Sequence, residues 1–397
     1  MSLNLDRPAW KRVALRELVR HVTDRVDPET SGLERFLAGE HIPSGELAIS
    51  TWGVIGEDPI GPMFYKRFKP GHVLYVSRRT YLRKVAVPDF EGITGEKTFV
   101  LETLDPHVLL QGFLPFVLSA ERFHAYAIAN SRGSVNPYLN WGELLAYEFD
   151  LPPLEEQKRL ADLLWTIEAE LRATEDLASS LRAARGRLVD AFLKRPEYEV
   201  EPIDRVVEFL RDGPFGSKIK SEHYADAGVR VLRLQDVQRG YVSDEDIAYL
   251  DESHVVRELE RYRVAEGDVV IAGLGDERHP VGRASLAGRV AGAVHKADVF
   301  RARVKQDRVL PEFFVNVLNA ELARPRVAAL SQGTTRLRIN TSNLKKVALP
   351  WPPVADQGAL LSAAGEFDDG IELISARMAS AAAVRATLRN EIFGGGR

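Results

Sequence analysis

No cysteine occurs anywhere in the 397 residues. That absence removes disulfide frameworks, zinc-thiolate sites and thiol nucleophiles together, and nothing argues for an oxidising compartment. Long apolar runs are missing as well. Met1 to Val13 mixes charges with hydrophobic side chains, so neither a secretory leader nor a membrane span is expected, and a cytoplasmic protein without membrane contact is the default. Excess positive charge is lacking too: 53 Lys and Arg face 57 Asp and Glu, a formal net charge of -4. An even spread of that charge would argue weakly against a nucleic-acid partner.

What the chain does have is a phrase written twice. LPPLEEQ, Leu151 to Gln157, returns as PWPPVADQ, Pro350 to Gln357, each time just ahead of a long helical pattern. Laying residues 131–193 over 331–393 without a gap gives twelve identities in sixty-three positions, with SRGS over SQGT, Asn140 over Asn340, Leu144 over Leu344 and Gln157 over Gln357. Average composition would give about four or five. An offset of 200 residues, half the chain, means duplication of a whole unit rather than a solenoid. Two copies of one architecture, related by an internal pseudo-two-fold axis, are therefore expected.

Each copy ends in the same kind of helix. From Leu160, apolar or small residues fall at Leu164, Ile167, Leu171, Thr174, Ala178, Leu181, Leu188 and Phe192, and the copy gives Leu360, Ala364, Phe367, Ile371, Ile374, Met378, Ala381, Leu388 and Ile392. Both are heptad seams. The Pro-Pro pair sits where a helix starts, and Glu155, Glu156 and Asp356 lie where the helix dipole favours acids. Arg185 and Arg385 interrupt the two seams at the same place, either as a polar contact between helices or as side chains laid along apolar surface with the head in water. A helix of about 33 residues is about 50 Å long, too long for one small domain to cover, and its nearest partner is its own copy, running antiparallel. The expected fold class is α+β: two similar domains of mixed strands and helices, 1–150 and 198–349, joined by two long antiparallel helices in 151–197 and 350–397.

The globular parts carry candidate strands at His72 to Val76, Lys97 to Glu102, Val229 to Leu234, Asp268 to Ala272 and Val299 to Val304, and helical patterns at Leu109 to Ala129 and Leu310 to Leu330. Their charge is not evenly spread. Pro59 to Pro88 holds Lys66, Arg67, Lys69, Arg78, Arg79, Arg83 and Lys84 with no acid, and with Phe64, Tyr65, Phe68, Tyr75 and Tyr81 interleaved. Leu322 to Ala355 holds Arg324, Arg326, Arg336, Arg338, Lys345 and Lys346, again without an acid. Such segments suit phosphate contact and groove reading. The candidate contacts are Arg78, Arg79, Tyr81, Arg83, Lys84, Arg132, Ser134 and Asn136 in the first copy, and Gln332, Thr334, Thr335, Arg336, Arg338 and Asn340 in the second. The loop DGPFGSKIK, 212–220, adds Ser217, Lys218 and Lys220; it lacks the G-x-x-x-x-G-K-[ST] spacing of a nucleotide P-loop.

DGPFGSKIK, then YRVAEGDVVIAGLGD, then SQGTTRLRINTSNLKKVALPWPP and a heptad helix resemble, in that order, the specificity subunit of Type I restriction-modification systems. The first copy matches through ERFLAGEHI, FKPGHVLYVSRRTYLRKVAV, SRGSVNPYLNW and LPPLEEQKRLADLL, and departs by having WKRVALRELVRHV where the second has its GPFGS loop. The resemblance implies two target recognition domains, each reading one half of a split sequence in double-stranded DNA, and two helices that act as spacer and dock two methyltransferase subunits. Restriction and translocase subunits would complete the complex. Adenine methylation and cleavage would be performed by those partners, which would hold S-adenosylmethionine, ATP and magnesium, while this chain would hold no cofactor or metal.

An enzyme in its own right is disfavoured by the residues. Asn136-Pro137-Tyr138-Leu139 comes nearest to the [DN]-P-P-[YFW] tetrapeptide of adenine methyltransferases but lacks the second proline, and Leu274-Gly275-Asp276 is a poor cofactor loop. Pro88-Asp89-Phe90-Glu91 lacks the lysine that a nuclease site would place two residues after its second acid. A two-domain DNA-binding scaffold without restriction-modification partners is the alternative to the specificity subunit.

Overall fold

The computed structural model describes Leu3 and residues 5–394, except for the side chain of Ser217. The chain divides into two compact units, Met1–Leu177 with Ile374–Arg397, and Ala178–Leu373. Each unit therefore combines one globular part with a portion of both long helices. Those helices run Leu154–Leu193 and Val354–Phe393, 40 residues each, or about 60 Å. They begin earlier than the seams because each Pro-Pro pair leads straight into the first turn, where Gln157 and Gln357 donate their N–H groups to Pro153 and Pro353.

In the first unit, Lys11–Ala14 pairs antiparallel with Glu148–Leu151. One four-stranded sheet runs in the order Val19–His21, Thr98–Thr103, Val73–Val76, Val85–Ala86. A second runs Gly53–Val54, Arg35–Leu37, Gly92–Gly95, Phe64–Phe68, with a parallel pair at its centre. The second unit repeats the plan. Val200–Pro202 pairs with Ala348–Pro350, one sheet runs Val207–Arg211, Val299–Val304, Val269–Ala272, Ala284–Leu286, and another contains the parallel pair Val229–Leu232 and Val294–His295. All five expected strands form, with ends displaced by two residues or fewer.

The two helical patterns are each broken. Leu109 to Ala129 yields Leu114–Leu118 and Glu121–Ala129, and Leu310 to Leu330 yields Pro311–Asn319 and Ala323–Ala329. The break falls at the same place in both copies, where Ala120 and Ala320 adopt extended backbone with ψ of 144° and 150°. Apolar periodicity runs through the break because both pieces bury a face in the same core. In the second unit Asn319 explains the stop, since its side chain hydrogen-bonds both backbone groups of Ala284 on a sheet edge, at 3.0 and 2.8 Å.

The repeated glutamine shows what the doubled phrase is for. Gln157 is 1% exposed and Gln357 0%. The Gln157 oxygen accepts from Leu110 N–H at 2.9 Å, and its amide donates to the carbonyls of Val108 and Pro152, both at 2.9 Å. Gln357 makes the same three bonds to Leu310, Arg308 and Pro352, at 2.8, 2.8 and 2.7 Å. Each glutamine fastens the start of a long helix to the loop entering the first short helix.

Seam positions bury in both helices, with Ala178 and Ile392 fully covered. Within the first unit Glu168 pairs with Arg385 at 3.1 Å and Arg389 at 2.7 Å, and Glu170 with Arg377. Within the second, Arg185 pairs with Asp368 at 2.7 Å and donates to Asn316. Rising numbers on one helix meet falling numbers on the other, so in each unit the helix segments run antiparallel. Of the two readings of Arg185 and Arg385, the polar contact between helices is the one observed.

Candidate nucleic-acid interface

In the first unit the segment after Val76 turns sharply. Arg79 and Arg83 both have φ of 54°, uncommon for residues other than glycine, on either side of the short turn Thr80–Leu82. The turn is zipped to the 131–139 loop: Arg79 N–H donates to Pro137 O at 2.5 Å, Leu139 N–H to Ser77 O at 2.9 Å, and the Thr80 and Ser131 hydroxyls bond at 2.7 Å. The loop closes on itself through reciprocal backbone bonds between Arg132 and Tyr138, each 2.9 Å. Arg78, Arg79, Tyr81, Ser134 and Tyr138 are thereby gathered as exposed side chains, with Asn136 half-buried and accepting from the Arg79 guanidinium at 2.8 Å.

The second unit builds the same loop. Gln332 and Arg338 exchange backbone bonds of 2.8 Å, and Ile339 N–H donates to Gly273 O at 2.9 Å. Gly333 has φ of 106°, and a Cβ there would meet Arg336 O at 2.2 Å, so the turn requires glycine. Gln332, Thr334, Thr335, Arg336 and Arg338 are exposed. DGPFGSKIK is held by a close approach: a Cβ on Gly213 would lie 2.3 Å from Lys296 O. The loop leaves Phe215 65% exposed and Lys220 exposed, while Lys218 is half-buried and its carbonyl meets His254 Nε2 at 2.8 Å. The side chain of Ser217 lies outside the described residues.

Several cations in the acid-free segments are already committed. Arg83 makes two bonds to Glu121, at 2.7 and 2.8 Å, Arg132 pairs with Glu143 at 2.5 Å, and Arg338 with Asp298 at 2.8 Å. Lys84 donates to the Gly39 carbonyl, and burial lowers its pKa. Arg67 is paired with Glu91, and Lys66 is buried. Asn340 spends its side-chain oxygen capping the helix Thr341–Lys345 through Asn343 N–H at 2.8 Å. Arg78 and Arg336 stay exposed without an ion pair among the described residues.

A cavity lies beside each loop. In the first unit it has a volume of about 340 Å³ and is lined by His21, Arg25, Lys66, Lys97, Tyr138 and Trp141 among others. In the second it measures about 580 Å³ and is lined by Pro214, Gly216, Gln235, Asp276, Arg283 and Arg336 among others. The two occupy corresponding places. Each lies beside the chain leaving the edge strand, Val19–His21 or Val207–Arg211, and beside the loop 131–139 or 331–339. WKRVALRELVRHV therefore matches the strands that precede GPFGS, and the segment from His21 to Arg25 stands where the second unit has its glycine loop. Arg283 is 4% exposed and donates to the carbonyls of Val237, Leu234 and Leu274, among others, so it clamps the second cavity's rim. Gln235 and Arg283 were not singled out in the sequence, and Asp276 only as the end of a poor cofactor loop. Their signal was weak, because they lie far from the basic segments and only the fold brings them to the cavity.

A family model described as Type I restriction modification DNA specificity domain matches residues 64–179. The MjaVIII specificity subunit of a Type I restriction enzyme from Methanocaldococcus jannaschii is 22% identical over 306 residues, covering 72% of this chain and 70% of the relative. The EcoKI specificity subunit from Escherichia coli K12 is 24% identical over 257 residues, covering 58% and 54%. The crystal structure of a Type-I restriction-modification system S subunit from M. genitalium superposes with a TM-score of 0.58 at 13% identity, covering 100% of both chains. The chain is similar to Type I specificity subunits, in sequence over more than half of its length and in fold over all of it. A further solved structure, from work on complex assembly and conformational transition of the type I R-M system, gives a TM-score of 0.56 at 18% identity over 98% of both chains. In this chain the family match begins at the strand carrying Lys66 and ends inside the first long helix. Among the described residues no helix is long and apolar enough to cross a membrane, and no group of three or more His, Asp or Glu could hold a metal ion.

Proposed function

We propose that this chain is the DNA-reading subunit of a Type I restriction-modification complex, with one half of a split target read by each unit. The observation that carries this is the pair of reading loops. Their backbones are closed by the same hydrogen bonds, yet Arg132, Ser134, Asn136 and Tyr138 face Gln332, Thr334, Arg336 and Arg338 across the repeat. A shared frame with different donors and acceptors is what two different half-sites require, since base edges are told apart by donor and acceptor pattern. Domains 1–150 and 198–349 are the two readers, and the long helices are the spacer. Methylation of adenine and cleavage belong to methyltransferase and restriction subunits, two methyltransferases per complex, and S-adenosylmethionine, ATP and magnesium are bound there.

The test is binding by the chain assembled with its methyltransferase partner, measured on duplexes altered in one half-site at a time. Arg336→Ala is expected to relax one half-site only, by about 1–3 kcal/mol. Arg83→Ala is expected to change either half-site by less than about 1 kcal/mol, because an exposed guanidinium already paired with Glu121 has little left to offer. Equal loss at both half-sites with Arg336→Ala would count against separate readers. The purified chain alone, given S-adenosylmethionine, ATP and magnesium, is expected neither to methylate nor to cut DNA. Turnover that follows the chain through several columns and disappears on mutating one of its residues would refute the non-catalytic assignment.

A further inference from the structure

Among the described residues, the buried carboxylates and guanidinium groups are paired or saturated. Asp236 has Arg233 at 3.3 Å, Asp268 has Arg303 at 2.7 Å, and Arg283 is surrounded by backbone carbonyls. Lys66 is 7% exposed and donates only to the carbonyls of Glu96, at 2.7 Å, and Thr98, at 3.0 Å. One of its three ammonium protons is left over, and no carboxylate forms an ion pair with it among the described residues. The Glu96 carboxylate is turned to Lys97, at 3.3 Å.

Aromatic faces also lie against this group of cations, and for Lys66 and Arg25 no carboxylate pairs with them among the described residues. Lys66 lies 5.7 Å from the Phe99 ring centre, Lys97 lies 5.9 Å from that of Tyr138, and Arg25 lies 4.7 Å from that of Tyr65. An aromatic face attracts a cation without cancelling its charge. Arg25 is brought alongside by a backbone bridge to Lys66. The Nε2 of His21 is buried in the same lining and has no hydrogen-bond partner. Burial, opposed in part by Glu96 and reinforced by Arg25 and Lys97, pulls the Lys66 ammonium down to about 8, and burial with the Lys66 charge holds His21 at about 4. His21 is thus a neutral ring at neutral pH, able to present an N–H to an anion.

We propose that the 340 Å³ cavity of the first unit is a phosphate site, with Lys66 Nζ and His21 Nε2 receiving phosphate oxygens, Arg25 adding charge beside them, and Lys97 free to turn from Glu96 toward the bound anion. Ser77, Tyr138, Leu139 and Asn140 line it as well, so it adjoins the reading loop. The phosphate comes from the DNA backbone or from free phosphate in solution; the first source rests on the function proposed above. Glu96 is the one acid in the cavity's lining, and the corresponding cavity of the second unit is lined by two, Asp276 and Asp298, beside Arg233, Lys296, Arg336 and an Arg283 already saturated by carbonyls.

Calorimetric titration of the full chain with inorganic phosphate in chloride buffer tests the site itself. The wild type is expected to bind phosphate, and Lys66→Met to abolish binding while raising the urea midpoint, because an unpaired buried charge has been replaced by an apolar chain of similar length. Should Lys66→Met fail to fold, Arg25→Gln and Lys97→Gln, at exposed positions, are each expected to weaken phosphate binding several-fold. No phosphate binding by the wild type, or binding unchanged in all three variants, would overturn the proposal. DNA binding by the assembled complex separates the sources: if the backbone supplies the phosphate, Lys66→Met weakens all sequences alike and reduces the salt dependence by about one counterion. An unchanged salt dependence with phosphate binding lost assigns the site to free phosphate. Absence of any DNA binding by the wild-type complex would instead refute the function proposed above, and leaves the phosphate titration to stand alone.

Discussion

Glu168→Ala is expected to destabilise the protein by about 3–5 kcal/mol, whereas Asp368→Ala, the same position in the repeat, is expected to cost less than about 1 kcal/mol. The Glu168 side chain is 11% exposed and holds both Arg385 and Arg389, themselves 19% and 12% exposed. Burial already lowers the Arg389 pKa, and Glu168 is the main charge opposing it. Removing that carboxylate strands two guanidinium groups in a poorly solvated seam, and water cannot reach in to replace it. Asp368 is 53% exposed, and Arg185 keeps Asn316 at 2.9 Å when it is gone. Urea denaturation of the two variants decides the matter, and equal losses would show that burial does not control the strength of these pairs.

Gln157→Leu and Gln357→Leu are expected to be damaging to the same extent, roughly 2–4 kcal/mol each, since either change leaves a buried backbone N–H and two carbonyls without partners. Leucine has similar bulk and keeps helix propensity, so the loss reports hydrogen bonding rather than a cavity. The equality follows from geometry. The three bonds of Gln157 and those of Gln357 go to corresponding backbone groups over nearly the same distances. A cost below about 0.5 kcal/mol at either position would mean that the freed groups find water, and that the glutamine is not the fastening it resembles.

The contrast between these two pairs bears on what duplication preserves. The glutamines remained identical, and so did their surroundings. Positions 168 and 368 kept an acid, and 185 and 385 kept an arginine, but the number of partners and the depth of burial drifted apart.

Legibility in the sequence followed the range of the interaction. The helix starts at Pro153 and Pro353, the seams, and strands such as Val299–Val304 were readable because their signals repeat every two, three or four residues along the chain. The breaks at Ala120 and Ala320 were not, because apolar periodicity continues across both, and the interruption in the second unit depends on Asn319 finding the edge of a strand 35 residues away. The loops 131–139 and 331–339 were visible as doubled text. Which of their side chains remain available was not visible.

Identity at a constant offset and heptad spacing are properties of the string, so the duplication, the long seamed helix that closes each copy and the place of the doubled loops can all be read from it. Which cations face outward depends on contacts made across the fold. Arg83 meets an acid 38 residues away and Arg338 one 40 residues away, while Lys66 is turned inside by the register of its strand. A run without acids therefore says nothing of the acids that folding brings to it, because charge pairing depends on distance in space and spacing along the chain does not set that distance.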